Sequence, residues 1–578
     1  PDGELKFNHG YRYDLTDDSS FTSVDISYAG KLIKKIKFDQ VYSTTSNAYA
    51  NGDITDYGGT QRLFLTGIKE ENTSGQSIQL YTFDYNDRTG LPPRLSRSQD
   101  HFGYFNGANN ASFVPANSDF GGLFSGIGGD RSPDFTYGSK GVMTRITYPT
   151  GGYSKIEYEP QWILADRISY FHAGESVVNG HIAVGGVRVK SVKNYTDSTA
   201  TPVVRKFYYD YWNYPDSSSG IVLRSPQYFV DRSILQRCTP AYTNANMQVF
   251  INCQFKTFTF KVLQSNSTFP IYHSSGALVQ YANVREGFGD NFENGGVFHS
   301  FINHSDALPE VLKGNEIPST SVTNFGVYNG LEDKTLYYSL NGSGQVIKKK
   351  EIVNKFKVFD QFSTALPKGD LTNTAVYKAD TCIFINRLGV PNCTADPVMQ
   401  QDEYDLYDVN RYYLFSYFAH QDSSYTYDYD ETGNNPALTI TVNQYDPTYV
   451  VKTQDKVITQ LDVLETSYKY ARDFASSGNV YEKLVNANMV IAPVERSVKR
   501  NSQSLYSMKT NYTDWFSDNK VLVPSTEDYT PAGQSAITRI RYQQYTTAGV
   551  LTEVSKENDV RMSYIWDKWN KSILAEVT

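Results

Sequence analysis

Val142-Met143-Thr144-Arg145-Ile146-Thr147-Tyr148, then Pro149-Thr150-Gly151-Gly152, then Tyr153-Ser154-Lys155-Ile156-Glu157-Tyr158-Glu159 is the stretch from which the fold can be read. Apolar and polar residues alternate with period two on both sides of a proline followed by a glycine pair. That is the pattern of a β-hairpin. Ile146 and Tyr148 share one face of the first strand, and Ile156 and Tyr158 share one face of the second. Pro149, Gly151 and Gly152 are the structural turn, with glycine permitting the positive φ of a tight reversal. The expectation is a register that puts Ile146, Tyr148, Ile156 and Tyr158 on one buried face.

The same pattern recurs at 334–340 with 345–351, at 537–545 with 550–556, and at 187–195 with 203–211. Repeated hairpins predict an all-β architecture of large antiparallel sheets with few short helices. The best helical signal is Asn479-Val480-Tyr481-Glu482, an N-cap with an acid three residues on, predicting a short helix near 479–490. Long polar loops are expected at 43–59 and 107–129. Boundaries near Pro160, Pro309 and Asn501 divide the chain into β regions 1–160, 161–309, 310–500 and 501–578. Tyr-Asp dipeptides recur along the chain, from Tyr13-Asp14 to Tyr445-Asp446.

Composition narrows the function classes. The 578 residues include 46 Tyr and 32 Phe, so 14% is aromatic, while only 20% is charged. Such a chain favours half-buried strands and can bury enough surface to avoid disorder. A formal net charge of −8 disfavours a nucleic-acid partner. No apolar run reaches the roughly 18 residues of a membrane helix. The opening Pro1-Asp2-Gly3 carries no targeting signal, and the alternating Ile573-Leu574-Ala575-Glu576-Val577-Thr578 reads as a strand, so the expectation is the interior of a longer protein. Cys238 with Cys253 and Cys382 with Cys393 each flank a turn-rich segment and are disulfide candidates, which points to an extracellular location. Four unpaired buried thiols is the alternative, and no CxxC or nearby His suggests zinc.

The run Leu91-Pro92-Pro93-Arg94-Leu95-Ser96-Arg97-Ser98-Gln99-Asp100-His101-Phe102-Gly103-Tyr104-Phe105-Asn106-Gly107 resembles a hallmark segment of Rhs-like, YD-repeat-related proteins of the Bacteroidota type. Arg131-Ser132-Pro133-Asp134, the hairpin quoted above, Gly185-Gly186-Val187-Arg188-Val189 and the closing Tyr564-Ile565-Trp566 resemble that family too. The resemblance runs in order from about Asp2 to Val577 and is thinnest over 360–450. Two departures stand out: Asp567-Lys568-Trp569 follows Trp566 where the family has Gly-Tyr, and regular tandem repeats with a self-cleaving core are missing. The resemblance implies a large extracellular β shell of spiralling hairpins, exported by type IX secretion.

Motifs for chemistry are sparse. No H-E-x-x-H, G-x-S-x-G or Walker loop occurs, and Gly126-Ile127-Gly128-Gly129 introduces no helix. Asp428-Tyr429-Asp430-Glu431-Thr432-Gly433-Asn434 is superficially like a calcium loop, but Thr439 stands where a bidentate Glu belongs. No cofactor or metal is expected. Asp100, His101, Asp130 and Asp134 form the candidate functional loop. As catalysts they would need a perturbed pKa in an accessible cleft; as structural groups they would be buried, bonded to backbone, and would pin the 107–129 loop. Trp566 and Trp569 are three apart, so one should face outward. The reading is a non-enzymatic secreted or cell-surface scaffold that encloses, carries or displays another polypeptide. The alternatives are a glycan-binding adhesin, linked to gliding motility, and a glycan-cleaving enzyme with paired carboxylates.

Overall fold

The computed structural model describes residues 3–15, 17–45, 57–116, 128–164, 177–236, 242–243, 249–250, 256–273, 275–313, 316–325, 329–358, 374–381, 407–414, 419–567 and 569–578. All four cysteines lie outside the described residues.

The hairpin forms as its alternation predicts. Met143–Thr147 pairs antiparallel with Tyr153–Leu164 in the register Ile146↔Ser154 and Thr147↔Tyr153. The Gly152 carbonyl accepts the Tyr148 N–H at 2.8 Å, and the Tyr148 carbonyl accepts the Gly151 N–H at 3.0 Å. Only Gly151 has positive φ, at 88°. Gly152 is needed for space, because a Cβ there would lie 2.8 Å from the Tyr195 carbonyl on the adjoining strand. Burial differs from expectation as well. Ile146, Ile156 and Tyr158 are only half-buried and Tyr148 is 40% exposed.

The hairpin is one unit of a single wall. From Gly3–Tyr11 to Ile573–Val577, 24 strands follow one another antiparallel in a nearly closed, barrel-like sheet. Short Val177–Val178 adds to the His181–Tyr195 strand. A meander alternates its connections between two rims, and the long excursions 86–142, 209–282, 302–331 and 359–418 all leave from the same rim. Hairpin turns occupy the other. Pro160 lies inside a strand opposite Val187, and Asn501 in the tight turn before Gln503–Asp514, so the sheet passes both without a break.

Register separates two chemically distinct faces. Val24 lies opposite Ile36, Phe38 opposite Ile68, Phe83 opposite Ile146 and Ile156 opposite Val192. The intervening residues point the other way and form cross-strand ion pairs: Lys35–Asp25 at 3.5 Å, Lys37–Glu71 at 3.1 Å, Lys69–Asp39 at 2.9 Å and Lys193–Glu157 at 2.6 Å. Over its first eight strands one side of the wall is therefore mostly apolar, interrupted by the Lys34–Glu70 pair at 3.2 Å opposite Ile26 and Ile36, and the other is charged.

The two ends of the wall overlap. Gly3 lies on the apolar face, and a Cβ there would sit 3.2 Å from Ile565 Cδ1. Followed strand by strand through the register, Ile565 falls on the opposite face. One end thus lies over the other, and the described pairings include no ladder between Gly3–Tyr11 and Ile573–Val577.

Tyrosine has a specific task in this wall. Tyr85, Tyr158, Tyr209, Tyr512 and Tyr545 each donate the phenolic O–H to a backbone carbonyl of the preceding strand of the wall, that of Leu65, Met143, Val189, Pro493 or Pro524, at 2.7–3.1 Å. Tyr470 does the same to Lys452. The ring covers the sheet while the hydroxyl pins one strand to the next, a contact worth about 1 kcal/mol each. Apolar cores are local: Ile163, Ile182 and Val184 pack with Val222 and Leu278 of an excursion, and Phe298, Leu336 and Tyr338 form another group. The third lies under the helix Val480–Asn486, where Leu484 meets Val494 and Leu522. Asn479 caps that helix as predicted, accepting the Glu482 N–H at 2.8 Å. Among the described residues buried polar side chains outnumber buried apolar ones, so ladders and side-chain hydrogen bonds share the load with packing.

Candidate functional site

The candidate loop is built around Asp100, which is 1% exposed. Its Oδ1 accepts the backbone N–H of Phe102 at 2.8 Å and of Tyr104 at 2.9 Å, which folds 100–104 into an Asx-type turn. Arg131 braces the turn from outside the motif, donating from Nε at 3.1 Å and Nη2 at 2.7 Å to the Asp100 carbonyl and from Nη1 to that of Phe113. The Arg131 carbonyl accepts the His101 N–H at 2.8 Å. His101 Nδ1 lies 2.9 Å from the Tyr228 hydroxyl, and the Arg131 guanidinium sits 5.8 Å from the Tyr228 ring centre. On the wall, Gly185 leaves the room Asp100 needs: a Cβ there would lie 2.7 Å from Asp100 Oδ2.

Burial governs the electrostatics of this knot. It pushes the Asp100 carboxyl up to about 7, against the opposing pull of its backbone hydrogen bonds and of Arg131. The same burial lowers Arg131. The void beside Asp100 measures about 10 Å³, room for about one water. Asp130 and Asp134 are elsewhere in character: both are exposed, Asp130 Oδ1 accepts the Ser132 N–H at 2.9 Å, and Asp134 caps the helical turn Phe135–Gly138. The four candidates are thus split into a buried pair and two surface turn-formers. Asn106 and Asn110 both donate to the Asp130 carbonyl, at 2.8 and 2.7 Å, tying the two ends of the 107–129 loop together. Sequence reading missed Tyr228, which comes from an excursion 127 residues away and carries no local signal.

The acidic turn at 428–434 uses its carboxylate internally. Asp430 Oδ1 accepts from Thr432 N–H at 2.9 Å, Thr432 Oγ1 at 2.6 Å and Asn434 N–H at 2.9 Å, and these donors hold its pKa well below the usual range. Among the described residues no group of three or more His, Cys, Asp or Glu is placed to hold a metal. Trp566 is half-buried and donates to the Leu551 carbonyl at 2.6 Å, whereas Trp569 is 71% exposed. Among the described residues no helix is long and apolar enough to cross a membrane.

A groove of about 630 Å³ opens where the hairpin Asp210–Tyr211 with Tyr214–Ser218 stands over the wall, lined by Trp162, Phe207, Tyr208 and Tyr209 among others. Two of its three carboxylates are committed. Glu159 accepts from Arg188 Nε at 2.7 Å, and Asp210 takes both Arg285 Nε at 2.9 Å and Nη2 at 2.6 Å. His181 Nε2 accepts the Ser218 N–H at 3.2 Å while Nδ1 faces the Asn179 carbonyl at 2.9 Å, which selects the Nδ1–H tautomer. Aromatic rings and ion pairs here can hold a polar ligand; Glu159 and Asp210 are tied to arginines, while Asp216 is exposed at the groove.

No family model matches the chain, and no curated protein matches it. Among solved structures it is similar to the TcdB2-TccC3-Cdc42 crystal structure, with 8% identity over 100% of this chain and 29% of that chain and a TM-score of 0.33. The crystal structure of TcdB2-TccC3 has the same identity and TM-score, covering 100% of this chain and 30% of that one. The Photorhabdus luminescens Tc holotoxin pore with a substituted TccC3 follows at 8% identity, 96% and 30% coverage and a TM-score of 0.33. The chain spans about 30% of the length of the chains it matches.

Proposed function

We propose that this chain is part of the wall of a non-enzymatic β shell that encloses, carries or displays another polypeptide at an extracellular or outer cell-surface location. The observation that carries this reading is the curled 24-strand wall whose first and penultimate strands lie face over face at Gly3 and Ile565. A sheet used as a packing layer buries one face under a second layer; this one is built to surround space. The Rhs-like motifs of the sequence support the same reading, and export by type IX secretion rests on them alone. The split of Asp100, His101, Asp130 and Asp134 and the arginine-bound Glu159 and Asp210 of the groove favour scaffold over enzyme.

The test is an unfolded reporter carrying one protease site, joined directly after Thr578. Enclosure slows its cleavage by about tenfold or more relative to the same reporter on an unrelated soluble domain. Equal rates would remove the enclosure reading. A second reading, glycan binding, is favoured by the aromatic groove at Trp162 and Tyr208. Glycan-array binding lost on Trp162→Ala would establish it.

A further inference from the structure

The groove between the wall and the hairpin Asp210–Tyr211 with Tyr214–Ser218 has a charge inventory that narrows what it can hold. Six charged side chains line it, three of each sign: Glu159, Asp210 and Asp216 against Arg188, Lys190 and Lys206. Four of them are paired. Glu159 holds Arg188, Asp210 holds Arg285, and Lys206 donates to the Asp290 carbonyl at 2.8 Å and its carboxylate at 3.1 Å. Lys190 and Asp216 remain. Both are exposed, and among the described residues neither makes a hydrogen bond or an ion pair. Glu157 lies near Lys190, but its carboxylate is already bonded to Lys193 Nζ at 2.6 Å and Ser191 Oγ at 2.7 Å.

The aromatic part of the lining divides in the same way. Tyr208 stacks on Phe292 at 5.3 Å between ring centres, and Tyr209 lies 4.8 Å from Tyr281 with the Arg188 guanidinium 4.3 Å from its own ring. Trp162 is half-buried, and among the described residues its indole has no aromatic, cationic or hydrogen-bond partner. The groove thus offers one unpaired flat ring, one unpaired donor and one unpaired acceptor. An anion would gain Lys190 and meet Asp216, a cation the reverse, and a lining with equal charges of both signs attracts neither from a distance. A proline-rich peptide suits aromatic grooves, but its prolines have no N–H to give Asp216. A neutral sugar has a C–H face for the indole and hydroxyls that both accept and donate. The volume of about 630 Å³ falls within the range of small-ligand sites.

We propose that this groove binds a short uncharged saccharide, packed on the Trp162 ring, with hydroxyls accepting from Lys190 Nζ and donating to the Asp216 carboxylate. The proposal deepens the glycan reading of the same groove and rests on it, naming the ligand class and the residues that select it. Trp162 supplies affinity for any sugar. Lys190 and Asp216 set the selection, because a carboxylated or amino sugar matches one of them and opposes the other.

The probes are the neutral trisaccharides cellotriose, maltotriose, mannotriose and triacetylchitotriose, with trigalacturonate and the glucosamine trimer as charged counterparts, each titrated calorimetrically against the whole chain. At least one neutral trimer is expected to bind with Kd of about 1 mM or tighter, and both charged trimers about tenfold more weakly. Its affinity should change less than about twofold between about 50 and 500 mM NaCl. Trp162→Ala should abolish binding, Trp162→Phe serving as the milder change if alanine lowers the melting temperature. Lys190→Gln and Asp216→Asn should each weaken the neutral trimer about tenfold. They should also shift the ranking in opposite directions, Lys190→Gln towards the glucosamine trimer and Asp216→Asn towards trigalacturonate. Lys37→Gln, in the first strands of the wall, should change nothing. Tighter binding of a charged trimer by wild type, or neutral binding untouched by natively folded Lys190 and Asp216 variants, would overturn the proposal while leaving the glycan reading in place. Displacement of the bound trimer by a proline-rich decapeptide that binds more tightly would make the groove a peptide site and overturn it too. No binding of any saccharide here or on the glycan array would remove both.

Discussion

Replacing Asp100 with asparagine should stabilise the protein at alkaline pH and leave it nearly unchanged in acid. The carboxyl is 1% exposed, and its direct donors are the N–H groups of Phe102 and Tyr104. Arg131 bonds the Asp100 carbonyl and leaves the carboxylate without an ion pair. Burial therefore raises its pKa from 3.8 to about 7. A carboxyl whose folded pKa is raised holds its proton more tightly in the fold, so its contribution is complete below pH ~4 and is lost as pH rises through ~7. The interval corresponds to about 4 kcal/mol at most. Asparagine keeps the oxygen that accepts both N–H groups and never ionises. Alanine removes that acceptor and orphans two buried donors, at about 1–3 kcal/mol each. Urea unfolding of wild type, Asp100→Asn and Asp100→Ala from pH 4.5 to 8.5 reads all three. The Asn variant should gain on wild type steadily as pH rises, and the Ala variant should be weaker throughout. A gap between Asn and wild type that does not change with pH would refute a buried, proton-holding Asp100 and show instead a carboxylate ionised in the fold.

Glu351 should behave with the opposite sign. Although burial alone would raise its pKa, hydrogen bonds from Lys334 at 2.6 Å, Lys348 at 3.0 Å and Tyr429 at 2.8 Å hold it at about 2. Its contribution of about 2–3 kcal/mol is present above pH ~4.5 and lost as pH falls towards 2, so Glu351→Gln should flatten the acid limb of a melting-temperature profile. Gly151→Asn should be nearly neutral because asparagine tolerates positive φ, whereas Gly152→Ala should lower the melt, since the Tyr195 carbonyl it meets is fixed in a ladder. Equal melts for the two would contradict the division of labour in the turn. Tyr545→Phe, which deletes only the hydroxyl bonded to Pro524 O at 2.9 Å, should cost about 1 kcal/mol, and a cost near zero would deny the latch. Non-reducing peptide mapping should find Cys238 joined to Cys253 and Cys382 to Cys393; four alkylatable thiols would exclude both bridges and weaken the extracellular assignment.

Local pattern determined much of this protein. Alternation around Pro149-Thr150-Gly151-Gly152 specified strand, turn and strand, and also which residues share a face, because side-chain period and pleat depend only on neighbours along the chain. Asn479 and Glu482 marked their helix start for the same reason: the cap bonds backbone groups within three residues. Tertiary structure alone decided what each face meets. Ile146 and Ile156 look like core residues by pattern, yet they are only partly buried, because burial depends on what packs over a face, which no strand can encode by itself. The pairing of Asp100 and His101 with Arg131 and Tyr228 depends on chain segments 31 and 127 residues away. The overlap of Gly3 with Ile565 depends on the twist accumulated over the whole wall. Period-two alternation is a local quantity and could be read from the sequence; closure is a sum over 24 strands and could not.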